Sequence, residues 1–257
     1  MPSRLSLLPQ MARLFAAQAR LYYLSALFPG LLGVAALTAV SLYMLRGVSD
    51  PHVDSRDLWS AMPVRQQLIS IVGLIFSLWT PILLAARAVC RITAEQLSGR
   101  AINLSLVLLD LARFLPAALF YSPVIGIPSM IGGTIFFVPG MVVASLFALV
   151  VPVTVNENPA LIPALKRGFV LGGHVFIKNL IIVLAGGGAV GLLLYLRITL
   201  LDRFLPDTFK ALFPLKFALV YAPALLLLVL SNICFTLLYH EAHSKEATAA
   251  APGASHR

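Results

Sequence analysis

The sequence predicts an all-α, polytopic membrane fold, and three observations predict it. Only 11% of the 257 residues are charged while 60% are hydrophobic, against about 25% charged residues in soluble domains. A globular chain with so few charges could not cover its surface with polar groups, so lipid must be its solvent. Apolar runs long enough to cross a bilayer recur along the chain, and basic residues flank them. Finally, no charged residue occurs from Phe114 to Asn156, a stretch too long for one span and long enough for two with a tight turn. The expectation is one membrane domain over residues 1–240, with about six transmembrane helices, followed by a disordered cytoplasmic tail, 241–257.

Residues 1–20 carry Arg13 and Arg20 opposite Met11, Leu14, Phe15 and Leu21. That pattern predicts an interfacial helix, or an extension of the first span, rather than a cleavable leader. The first span is expected near 22–45, with Pro29-Gly30 as a kink. A polar loop to Gln67 holds Asp50, Asp54 and Asp57, read as a solvated loop because no regular ligand motif is present. The second span is expected near 68–86, with Arg87 and Arg91 at the aqueous boundary.

From Arg100 the pattern becomes amphipathic. Arg100, Asn103, Asp110 and Arg113 fall on one arc, which predicts an interfacial helix with an Asp110–Arg113 pair. Spans three and four are expected near 115–136 and 138–155, turning at Gly132-Gly133 or Pro139-Gly140. Asn158-Pro159 can start the next helix, but Pro163 argues for a start at Pro163 itself. That short helix has Lys166, Arg167 and His174 on its polar side and Leu165, Phe169 and Gly172 towards the membrane. Lys178 and Asn179 bound span five, 180–196, where Gly187 and Gly191 form a G-x-x-x-G step. An amphipathic loop, 197–216, leads to span six, 217–239.

Counting lysine and arginine sets the orientation. With the N-terminus inside, cytoplasmic segments hold twelve and external segments seven. The excess predicts both termini in the cytoplasm, N-in/C-in. The net charge of +9 is therefore assigned to anionic headgroups and not to nucleic acid.

Catalytic constellations do not emerge. His240-Glu241-Ala242-His243 has its histidines at i and i+3, whereas a zinc-protease helix needs i and i+4. Cys90 and Cys234 lie in apolar surroundings and read as packing residues. No Walker loop or dinucleotide fingerprint occurs, and no acidic residue sits in the middle of a span. The sequence thus points to no enzyme, no metal and no cofactor.

The block VPGMVVASLFALVVPVTVNENPALIPALKRGFVLGGHVFIKNL resembles the YciC-type bacterial inner-membrane proteins, and the related membrane domain joined to some glycerophosphodiester phosphodiesterases. The matching positions are Pro139, Gly140, Pro152, Glu157, Ala164, Leu165, Lys166 and Arg167. Gly168 stands where that pattern usually has serine. Weaker echoes are LSGRAINLSLVLLDLARFLP and TLLYHEA. The resemblance implies a six-helix fold in the bacterial inner membrane and implies no activity.

The functional expectation is a non-enzymatic protein that supports envelope or lipid homeostasis. It would contact anionic membrane lipids, a protein partner or a second copy of itself. The contact residues expected are Lys166, Arg167, Lys178, Arg100 and Arg113, with Pro139, Gly140, Pro152 and Glu157 as structural positions. The alternative is a transporter or permease for a small or lipidic solute, suggested by the glycine-rich fifth span and the proline-interrupted helices.

Overall fold

A computed structural model describes residues 7–44, 62–135, 137–196 and 213–250. The helices are α1 (Leu7–Met44), α2 (Val64–Leu97), α3 (Leu104–Ile135), α4 (Phe137–Phe147), α5 (Val150–Asn156), α6 (Leu161–His174), α7 (Phe176–Leu196) and α8 (Phe213–Ala250). Among the described residues there is no strand, as hydrocarbon requires of a chain that must satisfy its backbone hydrogen bonds within each segment. Among the described residues, five helical stretches are long and apolar enough to cross a membrane, and the bent pair α6–α7, taken as one span, makes a sixth. The expected all-α polytopic architecture is therefore observed.

Hydropathy marks where lipid ends, whereas caps mark where helices end, and here the two differ. α1 and α8 each run 38 residues, about 57 Å at 1.5 Å per residue, well beyond a hydrocarbon core of about 30 Å. α2 continues past the apolar boundary at Ala86 and stops only at Leu97. There Gly99 adopts φ 68°, its N–H reaches Gln96 O, and Arg100 N–H reaches Glu95 O. This Schellman closure uses the carbonyls that a helix end leaves unpaired. Asn103 then caps α3, its Oδ1 accepting from Ser105 N–H at 2.9 Å.

Several expectations are corrected. The 100–113 segment is not a separate interfacial helix: Arg100 lies in the turn before α3, and Asp110 and Arg113 lie in a helix that continues to Ile135. The bend in α1 falls at Gln18 (φ −141°, ψ 29°), while Pro29 is carried inside the helix. Gly132-Gly133 lies within α3, and Pro139-Gly140 lies in the first turn of α4, so neither pair forms the corner between the two helices. α6 starts two residues before Pro163. Residues 241–250, expected to be a disordered tail, are helical. The aspartates 50, 54 and 57, Trp59, the 197–212 loop and the last seven residues lie outside the described residues.

Pro139, Pro152 and Pro163 each stand in the first turn of a helix. A first-turn N–H has no intrahelical partner, so proline sacrifices nothing there. These prolines divide residues 137–174 into three short helices. α6 then meets α7 at a 95° bend.

Burial is uneven along the bundle. The packed core draws on Tyr22 and Ala26 of α1, on residues within 83–92 of α2, and on Leu149, Val150 and Val153 at α5. Residues within 107–125 of α3, Ala164 and Leu171 of α6 and residues within 229–242 of α8 also belong to it. Towards the other end, Leu31, Leu42, Leu68, Val72 and Leu192 are exposed, as expected of surfaces facing lipid.

Candidate functional site

The packed end of the bundle gathers most of the ionic chemistry. α1 reaches it through Tyr22, whose hydroxyl lies 2.9 Å from Thr93 Oγ1 and donates to Gln96 Oε1 at 2.8 Å. Gln96 Nε2 in turn donates to Leu14 O at 3.4 Å. Met11, Leu14, Phe15 and Leu21 pack on the core, whereas Arg13 and Arg20 are exposed. The predicted two-sidedness of this segment is thus observed, with its apolar side against sibling helices.

Arg87, expected with Arg91 at the aqueous boundary, is buried within the protein. Its Nε and Nη2 donate to Asp110 at 2.8 and 2.9 Å, and its guanidinium lies 4.9 Å from the Phe114 ring centre. Asp110 therefore pairs with Arg87 and not with Arg113. The reason is desolvation: an arginine side chain only 8% exposed needs a carboxylate more than an exposed arginine does. Arg91, further along α2, pairs with Glu95.

A second network joins α5, α6, α7 and the polar end of α8, beyond its apolar stretch. Glu157, just past α5, accepts from Tyr239 Oη at 3.0 Å and from Arg167 Nε at 3.3 Å. Arg167 also donates from both Nη atoms to Glu246, at 2.6 and 2.5 Å. Lys178 Nζ lies 2.6 Å from Glu241, which also receives Lys245 at 2.7 Å. The Arg167 guanidinium holds the Glu246 carboxyl below the usual carboxylate range. Burial pushes Glu241 upward, but Lys178 and Lys245 outweigh it and the net displacement is downward.

Two of the five expected lipid-contact residues, Arg167 and Lys178, are thus engaged by carboxylates. Lys166, Arg100 and Arg113 are exposed and lie outside these networks. Of the structural positions, Pro152 is buried in α5, Gly140 is buried in α4 and Glu157 ties three helices together. His243 stacks on Tyr239 with ring centres 5.8 Å apart. Among the described residues no group of three or more His, Cys, Asp or Glu is placed to hold a metal ion. Cys90 and Cys234 are free and buried.

Sequence reasoning missed the contact that seats α6. A Cβ on Gly168 would lie 2.8 Å from Val150 Cα, and one on Gly172 would lie 2.5 Å from Leu146 O. Two glycines four residues apart let α6 rest directly on the backbone at the α4–α5 break. Gly172, expected to face the membrane, is buried there instead. The small-x-x-x-small spacing was available in the sequence as a signal for close helix approach. Beside this junction Asn179 Nδ2 donates to Ser145 O at 3.2 Å.

No family model, curated protein or solved structure matches the chain.

Proposed function

We propose that this chain is a non-enzymatic, multi-pass protein of a bacterial inner membrane, of the YciC type, that supports envelope or lipid homeostasis. It does so by holding anionic lipids, or a partner, at its charged end, which faces the cytoplasm. The observation that carries this reading is the division of labour among its cations. Arg87, Arg167 and Lys178 are held in internal ion pairs, while Arg13, Arg20, Arg100, Arg113 and Lys166 are exposed on segments that converge on the same end. Cations free of internal carboxylates at a membrane boundary attract anionic headgroups by about 1 kcal/mol each.

The test is lipid retention in mild detergent, read by native mass spectrometry with anionic and zwitterionic lipids in competition. The triple variant Arg100→Ala, Arg113→Ala, Lys166→Ala should lower the anionic preference by on the order of a hundredfold if the three contributions add. An unchanged preference overturns the headgroup reading.

The alternative, a permease for a small or lipidic solute, draws on the broken helices α4, α5 and α6 and their proline starts. Flux across reconstituted vesicles that depends on the protein would favour it.

A further inference from the structure

A cleft of about 550 Å³ lies between α1, α2, α7 and α8, within the range of ligand-binding cavities. Its walls are almost wholly apolar. Besides the Trp79 indole, Ser77, Ser231 and Asn232 are the polar side chains among the described residues that line it. Ser77 donates to Leu74 O and Asn232 to Leu228 O, so two of the three are spent on their own helices. A polar solute would find little there to replace its hydration.

Position and dimensions narrow the occupant further. On α1 the wall runs from Ala26 to Leu37, about 16 Å along the helix, which is close to half of a hydrocarbon core about 30 Å thick. One end is closed by Ala26, Ala85 and Phe235, which are buried in the packed half. Ala26 lies one helical turn beyond Tyr22, about 6 Å, so the cleft starts just beneath the charged end. Leu78 and Ile82 line it and are also 38% and 39% exposed, so it opens sideways on the surface that faces lipid. Gly30, Gly33, Gly186 and Gly187 also line it, and a Cβ on Gly33 or Gly187 would lie 2.9 Å from Pro81 Cγ or 2.7 Å from Met141 Cε, so these two glycines let the walls approach closely. A gap of this size left empty would forfeit the dispersion contacts of every residue around it.

We propose that the cleft is a binding site for one hydrocarbon chain of a membrane lipid from the leaflet next to the charged end. The proposal deepens the lipid-contact reading by assigning the chain-binding part, which is separate from the exposed cations that would meet a headgroup.

Trp79 reports on the site, because it lines the cleft and also packs on Gly126 of α3. The chain has two tryptophans, so Trp59→Phe leaves Trp79 alone. Purified in detergent, this variant is titrated with a zwitterionic phospholipid whose acyl chains carry bromine, a contact quencher. Saturable quenching is expected, with the half-saturating lipid concentration raised at least tenfold by Ala224→Phe, which fills the cleft. Val34→Phe serves if Ala224→Phe does not fold. Quenching that rises linearly and is equal in the filled variants means bulk contact only and overturns the proposal. Quenching by a brominated short alcohol but not by the lipid assigns the cleft to a small solute and also overturns it. The triple variant Arg100→Ala, Arg113→Ala, Lys166→Ala should quench like its parent with this zwitterionic lipid. The chain site and the headgroup site can therefore fail independently.

Discussion

Arg87 is surrounded by protein, so its charge depends on Asp110. The bidentate geometry and the Phe114 face satisfy a guanidinium whose side chain is nearly buried. Removing one partner leaves the other charge uncompensated, which costs about 3–5 kcal/mol at buried pairs. Asp110→Ala should therefore lower the unfolding free energy in detergent by about that much. The double variant Arg87→Met, Asp110→Leu should lose much less, because no lone charge remains. Equal losses in the two would show that the pair contributes by packing alone. At this scale the chain was only partly legible. Asp110 stood out on a polar arc, but local spacing offered Arg113 as its partner. The real partner lies on another helix, and single-sequence periodicity carries no information about that distance.

Helices here begin and end for reasons that hydropathy does not register. α2 and α8 continue as helices past their apolar stretches, to Leu97 and Ala250. Gly132-Gly133 and Pro139-Gly140 look like turns by the rules of soluble proteins, but helices in lipid tolerate both residues. The glycines of α6 and α7 offer a direct contrast. Gly168→Ala should destabilise by about 1–3 kcal/mol through overpacking against Val150. Gly188→Ala meets nothing within 4 Å and should be neutral or stabilising by less than about 1 kcal/mol. Thermal unfolding of both variants in one detergent checks the pair. The end of α8 is held by Glu241 and Glu246. Their carboxyls titrate below the ordinary carboxylate value, about 4.3 in an unfolded chain. Their stabilising pairs are therefore complete above that pH and are lost as pH falls through the depressed values. Amide exchange of residues 240–250 should be slow at pH 7 and should accelerate, relative to the chemical rate, when the pH is taken below about 4. Glu246→Gln should loosen the same residues at neutral pH.

Among the described residues, long-range side-chain contacts concentrate at one end of the bundle. The start of α1, the end of α2, the start of α3 and the end of α8 share the packed end through Tyr22, Arg87, Cys234 and Arg167. Gln66, by contrast, bonds to Tyr43 O and Met44 O at the far end. If this alternation spans a bilayer, cysteines placed at Arg100 and Lys166 should be labelled from one face by an impermeant thiol reagent. A cysteine at Arg65 should be labelled from the other, and the native Cys90 and Cys234 should be protected. Labelling of all three from one face would overturn the topology. Lysine and arginine counts supply the expected orientation, whereas the contacts within the charged end, such as Arg87 with Asp110 and Arg167 with Glu246, carry no signal in single-sequence spacing. The Arg87–Asp110 pair also has a consequence for biogenesis. The two residues are 23 positions apart, so during synthesis the arginine leaves the ribosome before its carboxylate exists. The second helix cannot settle in the bilayer with a neutralised side chain until the third has begun to follow it, and the two should be released from the insertion machinery as a hairpin. Truncating the nascent chain just before Asp110, or replacing Asp110 with asparagine, should leave that hairpin waiting at the translocon.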